Sequence, residues 1–142
     1  MRKEKFRELQ AVRKVVEKLD RDLDSIIVEG ESDSRVMKDL GFTGKVFLSA
    51  EKDIEDLVEN VSRGGGRTAI LTDFDAHGKK QSGKIRQALE PEADYLSLSS
   101  RREFGRQLTS EDRYAVEDLR PLLDDRDERF KQAALSRLYT FD

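Results

Sequence analysis

The 142-residue chain has no cysteine, which excludes disulfides, a zinc ribbon and thiol catalysis and suits a reducing cytosol. It also lacks a dominant charge: 27 lysines and arginines stand against 30 aspartates and glutamates, a net charge of −3. A surface that grips nucleic acid all over is excluded by that balance, so any basic footprint must be local. No apolar run is long enough to span a bilayer, and Met1-Arg2-Lys3-Glu4-Lys5 lacks the apolar core of a signal peptide. A cytoplasmic protein with no membrane partner is therefore expected. There is no internal repeat and no low-complexity segment, and histidine occurs once, at His77.

What the chain does have is charge, at 40% of residues against 36% apolar. Its length suits one domain over residues 1–142. Residues 1–23 place Phe6, Leu9, Val12, Val16, Leu19 and Leu23 at helical spacing. That predicts an N-terminal amphipathic helix docked on a sheet, in preference to a basic arm. Short apolar strands then alternate with helical patterns: strand Ser25 to Val28, a helix capped by Ser32 or Asp33 and closed by Gly41, and a strand near Lys45 to Ser49. A helix from Glu51 to about Ser62 follows, with Ile54, Leu57, Val58 and Val61 inward. After Gly64-Gly65-Gly66 come a third strand at Thr68 to Leu71, a helix ending before Pro91, and a strand near Asp94 to Leu98. This alternation predicts an α/β fold, a four-stranded parallel sheet with helices on both faces. Residues 101–142 read as a C-terminal helical extension with Phe104, Leu108, Tyr114, Val116, Leu119, Leu122 and Leu123 inward. Thr109 or Ser110 is the expected cap for the helix carrying Val116-Glu117-Asp118-Leu119. Asp124 to Arg129 reads as a solvated charge run.

Two strand ends carry the chemistry. Leu71-Thr72-Asp73-Phe74-Asp75-Ala76-His77-Gly78 closes a buried strand on two carboxylates one residue apart, and Val28-Glu29-Gly30-Glu31-Ser32-Asp33 closes another on a glutamate. Carboxylates gathered there need a positive partner, and hard oxygen ligands suit magnesium, with manganese as an alternative. If the two strands flank the point where strand order reverses, Glu29, Asp73 and Asp75 converge. Without that convergence these acids would cap helices or pair with arginines. Lys79, Lys80, Lys84 and Arg86 follow at once, as a phosphate-binding face or a solvated helix face. His77 is either a proton shuttle or an exposed polar group. Gly64-Gly65-Gly66 is not a phosphate loop, because it runs from helix to strand and lacks the G-x-x-x-x-G-K-[ST] pattern.

The glutamate after the first strand and the D-x-D after the third resemble the Toprim family, the catalytic domain of topoisomerases, bacterial-type primases and several small nucleases. The resemblance covers roughly residues 25–100 and looks most like small stand-alone Toprim proteins of archaea and bacteria. It implies Glu29, Asp73 and Asp75 as magnesium ligands and catalytic groups, Glu29 as general acid or base, and Asp33 as an auxiliary acid. A gate tyrosine and a zinc ribbon are not evident, so Tyr95, Tyr114 and Tyr139 read as packing residues. The expected activity is that of a small nuclease, similar to the Toprim ribonuclease that matures small ribosomal RNA. A non-catalytic module binding metal and nucleic acid in a larger complex is the alternative. RNA or DNA, and the oligomeric state, stay open. Leu71 to Asp75 also looks like the opening of a haloacid-dehalogenase-type phosphatase, but that motif belongs on a first strand, followed by glycine-threonine, where this chain has Ala76-His77.

Overall fold

Residues 2–123 are described by a computed structural model. The expected charge run from Asp124 to Arg129, and Tyr139, lie outside the described residues. Helix α1 (Arg2–Asp22) leads into four parallel strands, β1 (Ser25–Val28), β2 (Lys45–Leu48), β3 (Arg67–Ile70) and β4 (Tyr95–Leu96), in the order β2-β1-β3-β4. Between and after them come α2 (Glu31–Asp39), α3 (Ile54–Gly64), α4 (Ala76–Leu89) and α5 (Leu98–Ser110), then a 3₁₀ turn (Val116–Leu119) and α6 (Arg120–Leu123). The expected α/β class, parallel sheet and two-sided helix cover are all present, in a Toprim-like topology.

Side chains alternate across each strand, so one sheet feeds two cores. Ile26, Val28, Ala69 and Leu71 pack with Val12, Val16 and Leu19 of α1, Met37 of α2, Phe104 and Leu108 of α5, and Leu119. Ile27 and Ile70 point the other way, onto Leu57 and Val61 of α3 and Ile85 and Leu89 of α4. Among the described residues no helix is long and apolar enough to cross a membrane.

Several sequence expectations are corrected. The buried stripe of α1 begins at Glu8, which pairs with Arg113, and leaves Phe6 48% exposed, because at about 100° per residue Phe6 falls off the face that carries Val12, Val16, Leu19 and Leu23. Helix α2 begins after Gly30, with Asp33 inside its first turn accepting from the Gly30 amide at 3.0 Å; neither Ser32 nor Asp33 is its N-cap. Asp53 caps α3, so that helix starts later than Glu51 and leaves Ile54 at its exposed first position. Thr109 and Ser110 end α5, and the turn at Val116 is closed instead by Asp118, which accepts from the Ala115 amide at 3.1 Å. Strand β4 is only two residues long. Tyr95 and Tyr114 are not core residues; they are 47% and 43% exposed, and Arg67 lies over the Tyr95 ring.

Candidate functional site

From β1 the chain crosses to β2 on one side, and β3 is laid down on the other. The carboxyl ends of β1 and β3 therefore border the crevice where parallel sheets gather ligands. Ile27 lies opposite Ile70, and the Leu71 amide donates to the Ile27 carbonyl at 2.7 Å, which holds the strand ends in step. Glu29 and Asp73 emerge there, both half-buried, and their carboxylates lie close enough to repel each other. Burial, then the charge and hydrogen bond of Glu29, push the Asp73 carboxyl up to about 7, and Asp33 and Asp75 act in the same direction.

The other two acids are committed to the backbone. Asp33 is 6% exposed and accepts from the Gly30 amide at 3.0 Å and the Glu117 amide at 2.9 Å. Burial raises its pKa, the two amides oppose that rise, and Glu29 and Asp118 add to it. Asp75 is exposed and caps α4, accepting from the Gly78 amide at 2.7 Å. Among the described residues, no group of three or more acids or histidines is gathered as a ligand set. The structure thus brings Glu29 and Asp73 together and holds Asp75 and Asp33 nearby on helix starts. The donor chemistry fits a hard divalent cation: two half-buried carboxylates that repel each other are what such an ion would neutralise. Thr72 adds a second sign, since its hydroxyl is buried without a hydrogen-bond partner. Gly78 is needed for packing, because a Cβ there would stand 2.2 Å from the Asp73 carbonyl oxygen.

Sequence reasoning missed the residues that hold these turns in place. Because β4 stops at Leu96, the carbonyls of β3 beyond Thr68 lack a strand partner on that edge. The Ser97 amide takes the Thr68 carbonyl at 2.7 Å, and the Arg101 guanidinium continues the ladder, donating to the carbonyls of Ile70, Thr72 and Asp73 at 2.9, 2.8 and 3.1 Å. Arg101 also stacks 4.2 Å from the centre of the Phe74 ring, and desolvation lowers its pKa to about 10. The segment after α5 bridges both acidic turns: Tyr114 accepts from the Phe74 amide at 2.6 Å, while Glu117 donates to Asp33. These hydrogen bonds span 28 to 84 residues in sequence, and only the Val-Glu-Asp-Leu run marked that segment at all.

The four basic residues after Gly78 do not share one face. Lys84 lines a cavity of about 240 Å³ together with Glu29, Ser49 and Lys52. Lys79 and Arg86 line a larger one, about 560 Å³, between α4 and α5. Lys80 is exposed and borders neither; His77 is exposed as well.

No family model matches the chain. It is similar to a UPF0292 protein of Methanosarcina barkeri, 34% identical over 87 residues, an alignment covering 56% of this chain. The chain spans 61% of that relative's length. A solved structure from Aquifex aeolicus shares the fold, with a TM-score of 0.61 at 21% identity, covering 77% of this chain and 95% of the other.

Proposed function

We propose that the protein is a small Toprim-type nuclease that hydrolyses a phosphodiester in structured RNA or DNA with magnesium or manganese. The observation that carries this reading is the Glu29–Asp73 pair, two half-buried carboxylates that repel each other at the switch point of a parallel sheet. Glu29 and Asp73 would hold the ion, with Asp75 two residues further on, and the ion would supply positive charge to the phosphate oxygens. Lys84 and Lys52 share the Glu29 cavity and attract the phosphodiester. Glu29 accepts a proton from water as the water oxygen bonds to phosphorus; the bond from phosphorus to the leaving ester oxygen breaks, and that oxygen takes up a proton from solvent, to which Glu29 then returns its own. Arg101 keeps the Asp73 backbone fixed throughout.

Cleavage of a panel of labelled RNA and DNA structures, with magnesium or manganese, tests this. Glu29→Gln keeps the side-chain shape, and it should slow the chemical step by roughly 10²–10⁴-fold while strand binding changes far less. Manganese should raise the melting temperature of the parent protein more than that of Asp73→Asn. One observation favours a second reading, a non-catalytic metal- and nucleic-acid-binding module: only two of the four acids converge, the others being engaged with backbone amides at helix starts. Metal-dependent binding, with cleavage never exceeding that of Glu29→Gln, would decide for it.

A further inference from the structure

The larger cavity lies away from Glu29, between α4 and α5. Lys79 and Arg86 contribute from α4, and Arg101, Arg102 and Arg106 from α5, so five cations border one concavity of about 560 Å³. No carboxylate lines it. Arg86 is partly neutralised by Glu90 at 2.7 Å, and Arg101 is spent on the carbonyls of Ile70, Thr72 and Asp73. Lys79, Arg102 and Arg106 are exposed, and no salt bridge among the described residues engages them. In a chain carrying a net −3, cations concentrated in one concavity focus a local positive field that suits a polyanion. Arg102 and Arg106 stand one turn apart on α5, facing Lys79 across the cleft. The guanidinium fork suits phosphate oxygens better than it suits an isolated point charge. The cleft also reaches Ile70 and Phe74, and Phe74 is the residue next to Asp73.

Resting on the nucleic-acid reading above, we infer that this cleft is the strand path: the nucleic acid leaves the Glu29–Asp73 site along α4 and α5, its phosphates on Lys79, Arg102 and Arg106. The basic footprint is thereby moved from the run of lysines after Gly78 to the cleft that α5 completes. Lys80 takes no part in it.

The inference is tested by binding of a labelled RNA hairpin with single-stranded extensions, titrated over a range of salt in magnesium. Glu29→Gln serves as the parent so that the probe stays intact. Adding Arg102→Ala and Arg106→Ala should flatten the slope of log K against log salt by about 1.4, from two lost contacts at about 0.7 each. Arg102→Lys with Arg106→Lys should restore the slope, and Lys80→Ala should leave it unchanged. Circular dichroism and melting temperature of the double variant show that these exposed changes leave the fold intact. If the parent binds with a salt-dependent slope that the double alanine variant shares, the strand runs elsewhere while the nucleic-acid reading stands. If the parent binds no strand, both fall. Oligoglutamate of matched charge binding as tightly as the hairpin, and lost in the double variant, would assign the cleft to an acidic polypeptide and overturn the strand path.

Discussion

The turns after β1 and β3 are built to the same plan and differ in what each can tolerate. Leaving aside the exposed Glu31 of the first, each presents two acids, and in each one acid is consumed by the helix that follows. Asp33 accepts from the Gly30 amide within α2, and Asp75 accepts from the Gly78 amide at the start of α4. The remaining acids, Glu29 and Asp73, meet between the turns. Burial separates these two amide acceptors: Asp33 is enclosed and holds a second amide from the 3₁₀ turn, whereas Asp75 is exposed. The glycines differ as well. Gly78 is pressed against the Asp73 backbone, and Gly30 has open space where a side chain would stand. An acidic motif thus mixes groups that shape the backbone with groups left for chemistry.

The difference between the glycines gives the largest expected effect. Gly78→Ala puts a carbon 2.2 Å from the Asp73 carbonyl oxygen, and that oxygen is also held by Arg101. Backbone rather than a flexible side chain must move, so a loss on the order of 1–3 kcal/mol is expected, together with lost metal response. Chemical denaturation with and without manganese measures both. A Gly78→Ala protein of parent stability would show that the α4 start is free to shift.

Next come Asp33 and Asp75. Asp33→Ala strands two amides in a buried place and should cost roughly 2 kcal/mol, part of the loss offset by relief of repulsion from Glu29. Asp75→Ala removes one exposed cap bond, worth about 1 kcal/mol. Asp75→Asn sharpens the comparison, since asparagine caps as well as aspartate but carries no charge. Unchanged stability with reduced manganese response would mean that Asp75 both caps and ligates; an unchanged response would leave it a cap alone.

The Glu29–Asp73 pair predicts a pH signature in metal-free protein. The Asp73 pKa rises from 3.8 to about 7 on folding, so the folded state holds that proton more tightly than the unfolded chain does. The linked contribution to stability is therefore fully present below about pH 4 and is lost as pH rises through about 7. Asp33 is also raised and acts in the same direction. Denaturation midpoints of the parent minus those of Asp73→Asn, taken from pH 4 to 8 in chelator, should fall across that window. A flat difference would remove the pairing.

Much of this frame was legible in the sequence because its signals are local. Apolar runs of strand length at Ile26 to Val28 and Ala69 to Leu71, each closed by acid and glycine, locate both turns and predict the parallel sheet. Which acids become caps depends on where each helix begins, and Ser32, Asp33 and Asp75 all suit a helix start by composition. Long-range contacts left still less trace. Arg101 looks like any arginine in an amphipathic helix, and its role exists only because β4 ends at Leu96 and leaves β3 carbonyls open. The 3₁₀ turn matters because Glu117 brings an amide to Asp33 across 84 residues. The basic run after Gly78 is divided by helical geometry, which sends Lys84 toward Glu29 and Lys79 toward α5.

The smallest expected effect is at Gly30, although glycine stands in the same kind of motif as Gly78. Its backbone is extended, at φ −142° and ψ −178°, where any residue is at ease, and nothing lies within 4 Å of a Cβ built there. Its amide already donates to Asp33, and as a glycine it offers no side chain to the first turn of α2. Alanine supplies no cap either, so Gly30→Ala should shift stability by no more than about 0.5 kcal/mol and leave cleavage and manganese response near the parent's. Serine at the same place could accept from a first-turn amide and complete the capping box that Asp33 half-forms, for a gain of about 0.5–1 kcal/mol. Thermal denaturation of both variants beside Gly78→Ala makes the comparison direct. A loss at Gly30→Ala as large as that at Gly78→Ala would mean that the β1 turn needs the conformational range of glycine, and the asymmetry between the turns would be gone.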